Sequence, residues 1–246
     1  MMLTNITRRP MRVIMLAAAI ASLSACSDND NPAPTPQPAP APAPAPAVEY
    51  SFAVTVTNLT ANQPLSPVAV LATSSDYKAW QTGSMASTAL ETLAESGSSA
   101  GYEAMEAINQ LVNGTGVIMP GMSETVMINV PEADVDSLSV LTMLVNTNDA
   151  FTGLNSYSVK ALMVDDSVRM TANAYDAGTE ANSEFKGTIP GPADGGEGFN
   201  AERDDVDFVY IHPGVITADD GLADSVLNSS HRFDNPVVSI SISRTE

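Results

Sequence analysis

Two short acidic loops carry the residues of this sequence best suited to metal chemistry. The first loop, residues 146–154, contains Asp149, and the second, residues 175–180, contains Asp176 and Glu180. Carboxylate oxygens on flexible loops, completed by backbone carbonyls and water, are the ligands that Ca²⁺ prefers. Gly178 permits a sharp turn between the two acids of the second loop. The sequence therefore predicts a calcium site formed by Asp149, Asp176 and Glu180.

The segments between these loops would have to bring the acids together. Residues 156–164 and 168–175 both have the composition of β-strands, and residues 165–167 form a turn between them. We therefore predict a hairpin, which returns the chain to its starting point and places the three acids at one end of the fold. Asn182 and Glu184 lie close enough in sequence to be secondary ligand candidates. The alternative interpretation is that the acids belong to ordinary polar loops that bind no metal.

Strand-like segments dominate the rest of the chain from residue 48 onwards. Residues 236–243 form a predicted strand whose side chains alternate strictly between apolar and polar from Val238 onwards, which is typical of a strand with one buried face. Apolar residues recur at helical spacing between residues 76 and 113, which predicts two short helices. We therefore expect a mainly β protein, an antiparallel β-sandwich with a short helical insert. Further strands are predicted at 49–57, 67–72, 125–130, 138–145 and 205–212, and an irregular glycine- and proline-rich loop at 187–204.

The two acidic loops resemble those of the spondin amino-terminal domain family. That family pairs a Pro-Ser-Pro-Asp-Trp-Phe-x-Gly loop with a Trp-Asp-Ala-Gly-Thr-Asp loop. Here Asp149, Phe151 and Gly153 match the first loop, and residues 176–179 match the second. Residues 54–60, the strand near Pro67 and the last strand also look like the family, so the resemblance extends over residues 50–244.

The resemblance implies a fold, a metal and its ligands. The family's β-sandwich is like that of calcium-dependent lipid-binding domains, and its loop acids bind calcium. Those acids fall on Asp149, Asp176 and Glu180 of this sequence. Ala150 and Tyr175 stand where the family has tryptophan, and Glu180 replaces an aspartate with a longer side chain that still suits calcium. The cysteines and thrombospondin repeats of the animal members are absent from the printed sequence.

The amino-terminal residues have the pattern of a bacterial lipoprotein signal. Three arginines precede a short apolar run, which ends in Leu-Ser-Ala before Cys26. We predict a signal peptide over residues 1–25 and acylation of Cys26, which would anchor the protein in the membrane. Residues 26–47 are rich in proline and alanine and are expected to form an extended tether. The folded domain is then residues 48–246.

The amino-acid composition limits the classes of partner that the protein is expected to bind. The net charge of −19 disfavours binding to nucleic acid. Serine rather than aspartate follows Cys26, which by resemblance to Gram-negative sorting rules predicts an outer-membrane location. We expect a non-enzymatic, lipid-anchored envelope protein that binds calcium and acts in adhesion or in interaction with a protein or glycan. A purely structural envelope lipoprotein without metal is the second hypothesis.

An enzymatic hypothesis is the third alternative. Residues 97–101 fit the Gly-x-Ser-x-Gly pattern, which would make Ser99 a nucleophile with His212 and an aspartate. The segment before Ser99 is predicted to be helical, whereas that pattern requires a strand, and a linker is the favoured interpretation. His212 and His231, without a cysteine, are too few ligands to predict a zinc site. Acidic residues at 204–207 and 219–220 are interpreted as solvated surface rather than a second cation site.

Overall fold

A computed structural model describes residues 46–74 and 76–246. The predicted signal peptide, Cys26 and nearly all of the predicted tether lie outside these residues, so those predictions stay predictions. No helix of the described part is long and apolar enough to cross a membrane. The helices are α1 Thr88–Ser96 and α2 Ala100–Glu103, and the strands are β1 Glu49–Asn58, β2 Ala69–Thr73, β3 Gln110–Asn113, β4 Ser123–Pro131, β5 Ser137–Met143, β6 Ala150–Ser158, β7 Ser167–Ala172, β8 Ala174–Asp176, β9 Tyr210–Ile211 and β10 Val238–Arg244.

The strands form two antiparallel sheets, which confirms the predicted mainly β sandwich. The first sheet has the order β4-β1-β10-β7, and the second has the order β3-β2-β5-β6-β8-β9. Alternate residues of the first sheet face the second one, because successive side chains of a strand point to opposite faces. Phe52, Val54 and Val56 of β1 and Ile240 and Ile242 of β10 are fully buried between the sheets. The alternation predicted for the last strand is therefore observed.

The centre of the second sheet is buried on both faces. Every residue of β2 and of β5 is buried. Val70 and Val140 point into the core between the sheets, whereas Leu71 and Leu141 point into a second apolar cluster. The segment between β2 and β3 covers this outer face, with the helix α1 at its centre. The predicted helical insert thus forms a third layer on the sheet that carries the acidic loops.

Helix α1 forms where the sequence predicts it. Ser87 caps its amino terminus by accepting a hydrogen bond from the Leu90 amide at 3.2 Å. Gly97 ends the helix with φ 72°, a left-handed conformation that favours glycine. Leu90 and Leu93 are fully buried against the sheet.

The two predicted short helices are present, but the second one ends before the helically spaced apolar residues at 105–112. The only further helix of the insert is the single turn α2, and Leu111 and Val112 lie on strand β3. Leu111 pairs with Leu71 and packs in the outer cluster, while Val112 pairs with Val70 and packs between the sheets. Two adjacent apolar residues are thus used on opposite faces of an edge strand, and their contacts with β2 override the helical spacing.

The predicted hairpin before Asp176 is wrong. Strand β6 belongs to the second sheet, whereas β7 pairs with β10 in the first sheet. The chain changes sheets at Asn173 and returns as β8, which pairs with β6. The Ala174 amide donates to Asn235 Oδ1 at 2.7 Å, and Thr152 Oγ1 donates to the Asn173 carbonyl at 2.8 Å. These bonds to side chains from distant segments fix the crossing, and no local pattern reveals them.

The strand predicted at residues 205–212 is shorter than expected, and only Tyr210 and Ile211 pair with β8. Asp207 has φ 61°, outside the strand conformation, and its amide bonds to the Gly178 carbonyl. Residues 187–204 contain no helix or strand, as predicted.

Candidate functional site

Pairing between β6 and β8 brings the two acidic loops together. Asp149 immediately precedes β6 and Asp176 ends β8, and the register places Ala150 opposite Asp176. The Ala177 amide donates to the Asp149 carbonyl at 3.2 Å, which extends the ladder by one bond. Asp149 and Asp176 therefore lie at the same end of the second sheet, although the connection differs from the predicted hairpin.

A tight turn at Gly178 shapes the second loop. Asp176 Oδ1 accepts a hydrogen bond from the Gly178 amide at 2.8 Å. Gly178 has φ 71°, and a Cβ atom there would lie 2.3 Å from the Phe208 carbonyl oxygen. A side chain is therefore excluded both by backbone conformation and by space. This agrees with the role that the sequence suggests for the glycine.

The carboxylate of Asp149 is completely buried and only half bonded. Its Oδ2 accepts bonds from the amides of Thr179 at 2.8 Å and Glu180 at 3.2 Å, and lies 3.2 Å from Thr179 Oγ1. Its Oδ1 is buried and has no hydrogen-bond partner. A buried carboxylate oxygen without a partner is energetically costly, so Oδ1 is the atom whose environment most needs a further group.

The carboxylate of Asp176 is equally buried but fully bonded. Its Oδ2 accepts from Asn182 Nδ2 at 2.6 Å and lies 3.7 Å from His212 Nε2. His212 Nδ1 accepts from the Gly214 amide at 3.0 Å, so the proton of the neutral ring lies on Nε2. Nε2 accordingly donates to Asn182 Oδ1 at 3.1 Å. His212 therefore fixes the position of Asn182, and Asn182 in turn bonds to Asp176.

The two carboxyl groups oppose each other electrostatically. Burial raises the pKa of Asp149 well above its usual value, and the charge of Asp176 raises it further. Burial also raises the pKa of Asp176, an effect that the hydrogen bond from Asn182 offsets in part. Among the ion pairs of the described residues, none joins a lysine or arginine to either acid. Burial lowers the pKa of His212 to about 4, so the imidazole supplies no positive charge at neutral pH.

Glu180 does not direct its carboxylate to this pair. Its Oε1 accepts from Asn148 Nδ2 at 3.0 Å, and its acidic neighbours are Glu95, Asp204 and Glu197. Burial raises the pKa of Glu180 to about 7. Only the backbone amide of Glu180 contacts Asp149 directly. Of the three predicted ligands, the structure therefore places two carboxylates side by side and the third outside them.

The two secondary candidates lie on the other side of Asp176. Asn182 bonds to it directly, and Glu184 interacts with it electrostatically. Glu184 Oε1 accepts from the Ile216 amide at 3.1 Å, while Oε2 is buried without a partner. Burial raises the pKa of Glu184 to about 7. Glu184 also has φ 51°, an uncommon left-handed conformation for this residue type.

The acids supply only some of the ligands that a hard divalent cation needs. Within the described residues, histidine, cysteine, aspartate and glutamate form no group of three or more that could hold a metal as they stand. Asp149 and Asp176 nevertheless supply oxygen ligands, and the free Oδ1 of Asp149 has room in its bonding for a cation. Calcium takes six to eight oxygens, including backbone carbonyls and water. Two carboxylates therefore suffice as the charged part of such a site.

A contact from the helical layer supports Asp149, and it is not among the predictions made from the sequence. Glu95 of α1 is buried, and its Oε1 accepts from Thr179 Oγ1 at 2.7 Å. Its Oε2 accepts from the Asn200 amide at 2.9 Å. Thr179 thus connects the helix to the Asp149 carboxylate. A glutamate at a buried helix position is the one sequence signal that would have revealed it, because buried acids need partners.

Replacing Thr179 by valine tests this connection. Valine keeps the shape of threonine but removes the hydroxyl, leaving Glu95 Oε1 without its donor. We expect the free energy of unfolding to fall by about 1–3 kcal/mol, the usual cost of a buried acceptor that loses its bond. Urea unfolding followed by circular dichroism measures this loss. Thr92→Val on the exposed side of α1 is the control, and an equal loss in both variants would contradict the assigned role.

Comparison with known families decides the relationship of this chain. The family model described as Spondin_N matches residues 58–190, more than half of the sequence. The chain belongs to the spondin N-terminal domain family. The match includes both acidic loops of the spondin domain, and its strands β2 to β8. No curated protein sequence matches the chain.

The other residues singled out in the sequence have different surroundings in this spondin domain. Ser99 Oγ donates to Asn113 Oδ1 at 2.7 Å, and both ring nitrogens of His212 are engaged by other groups. His231 Nδ1 accepts from the Asn228 amide. The structure therefore shows no hydrogen bond between Ser99 and His212 within the described residues.

Each of the two remaining acidic clusters has an arginine partner. Arg203 pairs with Asp207 at 2.6 Å and with the buried Glu91 at 2.6 Å. Arg232 pairs with Asp220. These arginines supply positive charge to the two clusters. Asp149 and Asp176 have no such partner among the described residues, and this difference distinguishes the candidate site from both clusters.

Proposed function

We propose that this protein is a lipid-anchored envelope protein whose spondin domain binds calcium at Asp149 and Asp176. One observation carries the proposal. Two fully buried carboxylates lie next to each other without a basic partner, and Asp149 Oδ1 has no hydrogen bond. Burying even one unpaired charge is expensive, and two of the same sign repel each other. A bound divalent cation removes both costs.

The remaining ligands would come from nearby oxygens. Glu180 and Glu184 are the closest further acids along the chain, and backbone carbonyls of the two loops and water complete sites of this kind. Calcium supplies positive charge that holds the first acidic loop to the second. The protein residues provide a rigid frame, because Thr179, Asn182 and the Gly178 turn already fix both carboxylates.

Calorimetric titration with calcium chloride tests the proposal. We expect saturable binding by the metal-free protein at neutral pH, and none after Asp149→Asn. Absence of binding by the unmodified protein would refute the metal site and favour a structural domain in which the two acids share a proton. The family membership and the fold do not depend on this result.

The proposed role is adhesion, or interaction with a protein or glycan, at the Gram-negative outer membrane. The observations that support it are the membership of the spondin family, the predicted lipoprotein signal and the strongly acidic composition. A negative surface disfavours nucleic acid as the partner. We propose a binding rather than an enzymatic function, because Ser99 and His212, the candidate nucleophile and base, bond to other groups within the described residues.

Replacing Cys26 by alanine tests the anchor. Acylation of this thiol is the proposed attachment, so the variant is expected to appear in the soluble fraction or as an unprocessed precursor. Fractionation after a salt wash, followed by immunoblotting, measures the distribution. Ser27→Ala leaves the thiol intact and serves as the control that stays with the membrane. Retention of Cys26→Ala in the membrane at the unmodified level would show that another segment anchors the protein.

A further inference from the structure

A polar cleft on the other side of strand β8 has no role in the proposed metal site. Its volume is about 480 Å³, and it lies between the segment that leads into α1 and the point where the chain changes sheets. A cleft of this size matches the smaller ligand pockets of proteins. It is lined by Lys78, Trp80, Gln81, Thr82, Asn173 and Tyr175, together with main-chain and side-chain atoms of β6 and β7.

Two aromatic rings form a fixed wall of this cleft. Trp80 contacts Phe151 edge-on, with ring centroids 5.2 Å apart, and is tilted against Tyr175 at 5.6 Å. Tyr175 stacks on Phe151 at 5.6 Å. Trp80 is nearly buried and Tyr175 is partly exposed, so the tyrosine ring is held by its neighbours and still reaches the cleft.

The floor of the cleft is also rigid. Asn155 Oδ1 accepts from the Ala79 amide at 2.9 Å, and Asn155 Nδ2 donates to the Trp80 carbonyl. These two bonds tie the insert to strand β6. Gly153 lies so close to β5 that a Cβ atom would meet the Val140 carbonyl oxygen at 1.7 Å. The cleft is therefore formed before any ligand arrives, which lowers the entropic cost of binding.

Polar groups at the rim have no bonding partner within the described residues. The side chains of Lys78, Gln81 and Asn173 are exposed and make no hydrogen bond or ion pair there, in contrast to Asn155. They offer an ammonium group, and two amides that can each donate and accept. Fixed aromatic rings beside free amides suit a ligand that has an apolar face and a ring of hydroxyl groups.

We infer that this cleft binds a hexose-type saccharide. The C–H face of the sugar packs on Tyr175, and its hydroxyl groups bond to Gln81 and Asn173. Lys78 adds a charged donor, which favours a sugar that carries a carboxylate. Tyr175 and Asp176 are successive residues of β8 and point to opposite faces, so the cleft and the acid pair share a strand but no side chain.

Tryptophan fluorescence provides a direct test, because Trp80 is the single tryptophan of the chain. The full chain, kept in detergent, is titrated with the methyl glycosides of glucose, galactose, N-acetylglucosamine and glucuronic acid. We expect a saturable change in Trp80 emission with at least one of them, and the tightest binding with the glucuronide. Gln81→Ala and Asn173→Ala are each expected to weaken that binding about tenfold, with unchanged melting temperatures.

Controls separate this inference from the metal proposal. Asn129→Ala removes an exposed amide from β4 in the first sheet and should leave the titration unchanged. The sugar titration is repeated in EDTA and in calcium, and binding should persist in both, since no cation is needed in the cleft. No saturable change with any glycoside, or equal affinity in Gln81→Ala, Asn173→Ala and the unmodified protein, overturns the inference. Neither result bears on calcium binding.

Discussion

Replacing Asp149 by asparagine should abolish the calcium-induced rise in melting temperature and at the same time stabilise the calcium-free protein at neutral pH. The asparagine Oδ1 can take over the bonds from the amides of Thr179 and Glu180. Its Nδ2 then occupies the position of the carboxylate oxygen that has no partner. The substitution removes a buried like charge and adds a donor next to the remaining carboxylate.

Replacing Asp176 by asparagine should also abolish the calcium response, but with the opposite effect on the calcium-free protein. Both of its oxygens already accept, from the Gly178 amide and from Asn182 Nδ2. An amide group placed there must oppose one donor with another. We therefore expect Asp176→Asn to melt below Asp149→Asn without calcium, although each variant removes one charge.

The size of the calcium effect follows from mass action. A ligand that binds only the folded state at a hundred times its dissociation constant stabilises it by about 2.7 kcal/mol. For a domain of this length we expect a rise on the order of 5–10 °C in the unmodified protein. Differential scanning calorimetry with EDTA or excess calcium measures it. Asp219→Asn, at an exposed position of a short 3-10 helix and bonded to the Ser229 amide, is the matched control and should keep the full response.

Two results would contradict this interpretation. If Asp149→Asn shows the same calcium response as the unmodified protein, the acid pair does not bind the cation. If the response is lost but the calcium-free variant is strongly destabilised, the carboxylate rather than the cation stabilises the turn.

The calcium-free protein is expected to lose stability as the pH rises from about 5 to 8. Burial raises the pKa of Glu180 and of Glu184 from 4.5 in the unfolded chain to about 7 in the folded protein. The pKa of Asp149 and of Asp176 is raised in the same direction. The folded state therefore holds protons that the unfolded state has released. This stabilisation is complete below the unfolded pKa and is lost as the pH passes the folded value.

His212 acts in the opposite direction, but in a lower pH range. Burial lowers its pKa from 6.5 to about 4, so its contribution is complete above pH 6.5 and is lost as the pH falls towards 4. Between pH 6.5 and 8 the folded imidazole is neutral, while the unfolded one goes from half protonated to neutral, which adds stability as the pH rises. A decline of the melting temperature in that range therefore reports on the buried acids, because His212 acts against it.

Melting curves at pH 6.5, 7.25 and 8 in EDTA and in calcium check this expectation. We expect a fall of several degrees in EDTA, and a smaller one in calcium, because the cation replaces the protons that the acids lose. Glu180→Gln retains an acceptor for Asn148 and removes one titrating group, so its decline should be shallower. A melting temperature in EDTA that is constant or rises between pH 6.5 and 8 contradicts the assignment of buried, unpaired acids.

Local pattern was sufficient for the elements whose side chains repeat regularly. The alternation of β10 and of β1 follows from one buried face, and both strands form with the expected bounds to within two residues. Helix α1 forms between its Ser87 cap and Gly97 because both ends are encoded locally. The Asp176–Gly178 turn is also local, since the side chain bonds to an amide two residues ahead.

Long-range contacts decided the elements that the sequence misplaced. Leu111 and Val112 have a spacing compatible with a helix, but an open edge of β2 takes them as a strand. The change of sheets at Asn173 depends on Asn235, more than sixty residues away. Such partners are brought together only when the sandwich forms. Local pattern alone therefore predicts a simple hairpin for residues 156–175.

The sequence by itself determined a mainly β domain of the spondin family and the two loops that carry Asp149, Asp176 and Glu180. Their order along the chain and the glycine between the acids are local properties, and a family motif records them. Only the tertiary structure decided that two of these carboxylates lie side by side while Glu180 bonds to Asn148. It also decided that Glu95 bonds to Thr179 and His212 to Asn182, the residues that fix the two acids. Side-chain direction and burial depend on the packing of β8 against β6 and of α1 against the sheet, and no single loop encodes them.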